Sequence, residues 1–146
     1  MDDRKGFSLL ELLIVVAIIL IIAMIAVPAL LRARQSANES SAVANLRTVS
    51  NAEATYILSS SGAYATLPDL ITAGLMDTRF SSSVSGYQFV VTPITGGYTA
   101  TAMPVATNGG RYGYYMIVDA IVRYATAIST SCLPCYPTSL SDQPVR

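Results

Sequence analysis

The chain has 146 residues, a formal net charge of zero, nine tyrosines, no histidine and no tryptophan. Only 12% of its residues are charged, which excludes the strongly basic surface typical of a nucleic-acid-binding protein. No complete metal site, nucleophile–base pair, phosphate-binding loop or carboxylate pair is visible, so the sequence does not indicate an enzyme. The composition therefore gives no indication of an enzyme, a cofactor or a nucleic-acid partner.

A long apolar segment lies near the N-terminus. From Leu12 to Leu31 the chain contains no charged residue and no Asn, Gln, Ser or Thr. A helix of this length spans roughly 30 Å, the thickness of the hydrocarbon core of a bilayer, whereas a cleaved secretory signal has only about 7–15 apolar residues. We therefore predict a membrane-spanning helix. A signal peptide cut near Val27–Ala29 and a plain anchor are alternatives, but neither explains Glu11, because ionisable residues in membrane segments usually have a function.

The residues before this segment form a motif. A short charged leader, Met1 to Gly6, is followed by Phe7-Ser8-Leu9-Leu10-Glu11. The order of glycine, aromatic residue, small hydroxyl residue, two aliphatic residues and glutamate before an apolar run resembles the N-terminus of type IV pilins. The same motif is found in the related pseudopilins of type II secretion.

The resemblance implies a processing reaction and a location. A prepilin peptidase would cleave after Gly6, and Phe7 would become the N-methylated first residue of the mature chain. The implied domains are the leader peptide at 1–6, a hydrophobic transmembrane and filament-core helix at 7–33, and a periplasmic or extracellular pilin domain at 34–146. The precursor would lie in the bacterial inner membrane with its leader in the cytoplasm.

Glu11 is interpreted as an assembly contact. Positions i and i+4 share one face of a helix, so the new amine of Phe7 and the Glu11 carboxylate would lie one turn apart. In hydrocarbon a paired charge is favoured over an unpaired one, and the partner amine belongs either to the same subunit or to a neighbour. The resemblance implies that this glutamate docks subunits during filament assembly.

Pro28 interrupts the hydrogen-bond pattern of the predicted helix. It has no N–H, so the Met24 carbonyl loses its usual donor and the helix is weakened there. This is either an ordinary proline of a membrane helix or a weak point that lets the helix loosen in a fibre. The resemblance favours the weak point, at Met24 and Pro28.

The helix is predicted to continue beyond the membrane. No Gly or Pro occurs from Ala29 to Ser61, and the sequence Ser59-Ser60-Ser61-Gly62 is a typical helix end. The helix should therefore extend from about Phe7 to Ser60. Helical spacing predicts one packing face in its second half, formed by Val43, Leu46, Ser50, Ala54 and Ile57.

The rest of the chain predicts a small sheet. Leu67-Pro68-Asp69 should start a short helix or turn that stops at Gly74. Alternating residues then predict strands at Tyr87–Thr92, Tyr98–Met103, Tyr112–Val118 and, as a fourth candidate, Ile121–Ile128. The expected fold class is α+β, in which the second half of a long N-terminal helix packs against three or four antiparallel strands, as in the pilin fold. The sequence leaves open whether Asp119–Ile121 is a turn or part of a strand.

Cys132 and Cys135 form a C-x-x-C pair near the C-terminus. A structural disulfide outside the cytoplasm is favoured, because the pair follows strands rather than opening a helix as in redox enzymes. A membrane-tethered thiol–disulfide protein that uses this pair is the alternative from another functional class.

The leading functional hypothesis is a major-type pilin. The resemblance implies that identical subunits polymerise on a pilus assembly platform into an extracellular type IV pilus, a cell projection also called a fimbrium. The alternative is a pseudopilin of a periplasmic pseudopilus, whose major form carries a tryptophan-containing segment and an acidic C-terminal loop. This chain has no tryptophan and only Asp142 as an acidic residue in its tail, which favours the pilus.

Overall fold

The computed structural model describes residues 7–106, 108–126 and 143–145. The chain divides into two compact units, Met1–Ala33 and Arg34–Arg146. Gly6, Cys132 and Cys135 lie outside the described residues, so the predictions made for them stay predictions.

The first element is the helix α1, Leu9–Ser59. It passes through Pro28 without interruption and ends one residue before the predicted limit, which confirms a single helix in the subunit. Among the described residues, α1 is the helix that is long and apolar enough to cross a membrane, by length and composition alone. It ends where Ser61 and Gly62 adopt positive φ angles of 57° and 94° and the Gly62 N–H donates to the Ile57 carbonyl at 3.2 Å.

The packing face of α1 in the second unit differs from the predicted one. Leu46 is buried as expected, but Ala54 is exposed and Val43 is only half-buried. The buried residues of this face are Glu39, Ala42, Leu46, Val49, Ala52 and Glu53. The prediction was only partly right, because the predicted face included neither Glu39 nor Glu53, which hydrogen bonds from distant residues hold in the buried face.

A short helix α2, Leu67–Thr72, confirms the predicted element after α1. Thr66 and Asp69 form a capping box: the Asp69 N–H donates to the Thr66 hydroxyl at 3.4 Å, and the Thr66 N–H donates to the Asp69 carboxylate at 3.2 Å. The Thr66 hydroxyl also donates to the Asp69 carboxylate at 2.5 Å, and this bond, followed by the one from the Thr66 N–H, lowers the pKa of Asp69 below its ordinary value. A 3-10 turn at Thr78–Ser81 follows, which the sequence analysis did not predict.

The strands form one antiparallel sheet in the order β1-β2-β3-β4-β5. Their bounds are Tyr87–Ile94, Gly97–Pro104, Tyr112–Ile117, Arg123–Thr126 and Gln143–Pro144. Three strands and a fourth candidate at Ile121–Ile128 were predicted; β4 lies within that candidate, and the two-residue β5 adds a fifth strand. Asp119–Ile121 is a turn: Ala120 has a φ of 57°, and its N–H donates to the Ile117 carbonyl at 3.0 Å.

The core of the second unit lies between α1, α2 and one face of the sheet. The predicted alternation of β1 is confirmed, because Tyr87, Phe89 and Val91 are buried while the residues between them are exposed. On β2, Ala100 and Ala102 are fully buried opposite Val91 and Phe89. Small side chains on β2 beside large ones on β1 let the two strands fill the space against α1.

Candidate assembly site

The first unit presents an apolar surface on all sides of α1. From Phe7 to Leu31 eighteen large apolar side chains are exposed, and Phe7 and Leu30 are 74% and 69% exposed. Burying one such side chain is worth about 1.5–3 kcal/mol, so leaving this surface in water is strongly unfavourable. A surface of this size and composition requires lipid or other apolar helices around it.

Glu11 is the one charged residue in that surface. It lies in the first turn of α1, where the free N–H groups of the helix favour a negative charge. Both Glu11 and Phe7 are exposed, so each is accessible to a neighbouring molecule. The pairing of Glu11 with a neighbour's Phe7 amine stays a prediction.

Met24 and Pro28 lie toward the C-terminal end of the same surface. Met24 is 80% exposed, and the helix continues on both sides of Pro28. Because proline has no N–H, the Met24 carbonyl lacks the usual donor from the residue four positions later. The subunit is therefore helical here despite the missing bond, and loosening in a filament stays a prediction.

In the second unit, α1 is joined to the loop before β3 through Glu39. The Arg111 backbone N–H donates to Glu39 Oε1 at 2.7 Å, and the guanidinium donates to both carboxylate oxygens at 3.3 Å. These bonds, together with the charge of Glu39, raise the pKa of Arg111. The neighbouring Asn38 amide donates to the Gly109 carbonyl at 2.9 Å. Two adjacent residues of α1 thus fix a loop about seventy positions later in the chain.

The same loop approaches the start of β1 too closely for larger residues. A Cβ atom on Gly109 would lie 2.8 Å from the Gly86 carbonyl oxygen, and one on Gly110 would overlap the Tyr87 ring. Tyr87 is fully buried and its hydroxyl donates to the Tyr112 carbonyl at 2.8 Å. Glycine is required here because of this close approach.

Glu53 is the second buried carboxylate of α1. It is 0% exposed, and its Oε2 accepts a hydrogen bond from the Ala65 N–H at 3.1 Å. Burial raises the pKa of Glu53, and the bond from Ala65 opposes that rise only in part. The contact joins α1 to the connection, residues 60–66, that leads to α2.

An ion pair closes the turn between β3 and β4. Arg123 is 8% exposed and its guanidinium contacts Asp119 Oδ2 at 2.6 Å and Oδ1 at 3.2 Å. These hydrogen bonds lower the pKa of Asp119, and the Ile121 N–H adds a further bond at 3.0 Å. Arg123 also lies 5.9 Å from the centre of the Tyr115 ring.

The sequence analysis identified Phe7, Glu11 and Pro28 but missed Glu39 and Glu53. A signal was present: these glutamates are fourteen positions apart, close to four helical turns, and the apolar residues Ala42, Leu46 and Val49 lie between them on the same face. In the described parts of the chain, no group of three His, Cys, Asp or Glu side chains could hold a metal ion.

Comparison with known proteins supports the resemblance seen at the N-terminus. Residues 1–27 match the family model of the prokaryotic N-terminal methylation motif. The chain is 38% identical over 78 residues to the type IV wide pilus major component PilA4 of Thermus thermophilus. That match covers 53% of this chain and 60% of the relative's length. No solved structure matches the chain.

The long apolar helix and the antiparallel sheet have the α+β arrangement expected of the pilin fold, and the N-terminal motif is the one expected with that fold. The chain is therefore similar to the type IV pilins, in the broad sense that includes the pseudopilins, in its N-terminal motif and over about half of its length.

Proposed function

We propose that the chain is a major-type pilin that polymerises with identical copies into an extracellular type IV pilus. The observation that carries the proposal is the apolar surface from Phe7 to Leu31, which surrounds α1 and contains Glu11 as its one charge. The similarity to a major component of a type IV pilus supports the pilus over other assemblies.

In this proposal the domains have separate tasks. The leader, 1–6, is removed by a prepilin peptidase, and Phe7 is methylated. Residues 7–33 anchor the precursor in the inner membrane and later form the filament core. Residues 34–146 form the domain exposed on the filament, and the protein has a structural rather than an enzymatic role.

The physical reason for assembly is exchange of one apolar environment for another. In the membrane the side chains around α1 contact lipid, and in a filament they contact the same segment of neighbouring subunits, so little apolar surface meets water in either state. Whether a subunit moves from the membrane into the filament then depends on specific contacts. The pairing of Glu11 with a neighbour's N-terminal amine supplies one such contact. Polymerisation with a defined register follows.

The test is isolation of surface filaments. Cells that make this chain are sheared, and the released filaments are imaged and their subunit sequenced. The proposal predicts that this chain is the main subunit and that filaments disappear when its gene is deleted. If deletion leaves surface filaments unchanged and stops protein secretion instead, the chain is a pseudopilin and the pilus proposal is wrong.

The pair Cys132 and Cys135 supports a separate check of the alternative class. A structural disulfide predicts that thiol alkylation of the filament protein labels no cysteine without reductant and both cysteines after reduction. A pair that cycles between oxidised and reduced forms in isolated membranes would instead indicate a thiol–disulfide protein.

A further inference from the structure

Glu53 is held in an environment unlike that of the other buried glutamate. Glu39 receives three hydrogen bonds from Arg111, including two from a guanidinium. Glu53 receives one, from the Ala65 N–H, and its Oε1 has no hydrogen-bond partner among the described residues. Neither ion pair found among those residues involves Glu53. A fully buried carboxylate with one neutral donor is poorly compensated.

The described neighbours of Glu53 are tyrosines, a serine and an aspartate, and none of these carries a positive charge. Tyr98, from β2, and Tyr64, from the connection at 60–66, pack their rings 5.3 Å apart, and the negative charge of Glu53 acts on Tyr98. Burial raises the pKa of Tyr98 in the first place, and Ser50 of α1 opposes that rise through a hydrogen bond. Asp119, in the turn after β3, adds a negative charge that also acts on Tyr98. These neighbours favour a neutral carboxyl at Glu53.

A neutral Glu53 still makes the contact with Ala65. The carbonyl oxygen of a protonated carboxyl accepts an N–H as a carboxylate oxygen does. The charged form makes a stronger hydrogen bond to Ala65, but burial destabilises it by removing the carboxylate from water. Burial is the larger of these two effects on the pKa of Glu53. The closed arrangement, in which residues 60–66 pack on α1, is therefore more stable when Glu53 is protonated than when it is ionised.

We propose that the proton on Glu53 holds the connection at 60–66 against α1, and that its loss as the pH rises loosens this connection. When the connection opens, the carboxyl reaches water and recovers its ordinary pKa of 4.5, so the open form releases its proton first. The stabilisation is complete below that pKa and is lost as the pH rises through the higher pKa of the closed form. The device is a property of the folded subunit and is independent of whether the subunit forms a pilus.

Amide hydrogen exchange of Ala65 in the full-length subunit, kept in detergent micelles, tests the proposal. The exchange rate is divided by the intrinsic rate at each pH, so that only the opening equilibrium is compared. In the wild type this ratio should rise by up to about tenfold per pH unit above the ordinary pKa and then level off once the closed form is ionised. In Glu53→Gln, which cannot ionise, the ratio should not change with pH.

Glu39→Gln is the matched control. It should speed exchange of the Arg111 amide, which donates to Glu39, while the pH dependence at Ala65 persists. A flat profile at Ala65 in the wild type, or an equal slope in Glu53→Gln, would overturn the proposal. If Glu53→Gln does not fold, a carbon-13 titration of the wild-type Glu53 carboxyl decides: a midpoint above 4.5 supports the proposal, and one at or below it contradicts it.

Discussion

Glu11, Glu39 and Glu53 lie on one helix in three different environments. Glu11 is exposed in an apolar surface, Glu39 is buried and paired with Arg111, and Glu53 is buried with a single backbone donor. The same residue type therefore has three different consequences when it is changed. Loss of Glu11 should affect contacts between subunits, whereas loss of Glu39 or Glu53 should affect the fold of the second unit.

At Glu11 we expect a defect in assembly alone. Glu11→Ala should leave membrane insertion and leader cleavage intact, because Gly6 and the apolar run remain. Filament yield should fall sharply, since removing one partner leaves the other charge unpaired at about 3–5 kcal/mol in an apolar site. Glu11→Leu, which is more apolar, should insert well and assemble poorly. Processed subunit is measured in membranes and in the sheared fraction, without a wild-type copy, and abundant normal filaments from Glu11→Leu would refute the docking role.

At Asp119 we expect a loss of stability. Asp119→Asn should lower the free energy of unfolding at neutral pH by about 1–3 kcal/mol, because the buried Arg123 guanidinium loses its charged partner. Since Arg123 holds the pKa of Asp119 below its ordinary value of 3.8, the ion pair stabilises the fold above that value. The wild type should lose this contribution as the pH falls through the lower pKa of the folded state.

Denaturant unfolding of the full chain in detergent at several pH values measures this effect. The variant should lack the part of the acid dependence that the ion pair supplies. Asp77→Asn is the control, because Asp77 caps the 3-10 turn through the Arg79 N–H and asparagine caps equally well. Equal stability of Asp119→Asn and the wild type at neutral pH would contradict the assigned role.

The elements themselves were largely predictable. Local signals indicated α1, α2 and the first three strands: an unbroken helical run, the Leu67-Pro68-Asp69 start with its stop at Gly74, and period-two alternation on β1. The packing face of α1 was only partly predictable: helical spacing places Glu39 and Glu53 on the face of Leu46, but their burial depends on Arg111 and Ala65, which are 72 and 12 positions away. The 3-10 turn and β5 are too short to give a periodic signal.

The loop before β3 gives a prediction about glycine. Gly110→Ala should lower the free energy of unfolding by about 1–3 kcal/mol, since its Cβ would overlap the ring of the buried Tyr87. Gly97→Ala is the matched control: its Cβ would meet Val118 at an ordinary 3.5 Å, so stability should be unchanged or rise by up to about 1 kcal/mol. Thermal unfolding of both variants checks the difference. Equal stability of the two would show that the Gly110 contact is easily relaxed.

Pro28 gives a prediction about α1 in the assembled state. In the subunit the helix is continuous through Pro28. In a filament we expect the backbone just before Pro28 to loosen, and Pro28→Ala, which improves helix preference by about 3 kcal/mol, should restore regular helix there. Maps of wild-type and variant filaments are compared over this stretch. An unbroken helix from Ile18 to Leu31 in the wild-type filament would refute the weak point.

For the whole molecule, the sequence was a better guide to the family resemblance than to the contacts that hold the fold together. Residues 1–6, the aromatic residue at position 7 and Glu11 form a local motif that can be recognised without a structure, because its residues follow one another in the sequence. The contacts that hold the second unit together connect distant parts of the chain, such as Asn38 with Gly109, and only the folded chain reveals them. The similarity to pilins was therefore predictable from the sequence, and much of the stabilising network was not.

The central claim, that this chain is processed at Gly6 and built into a filament, is tested most directly by the intact mass of the subunit in purified sheared filaments. The proposal predicts a chain that has lost residues 1–6 and gained one methyl group, with fragmentation that places the methyl on the Phe7 amine. A subunit that keeps its leader, or one that begins at Leu30 as a signal-peptide cut would require, would contradict it.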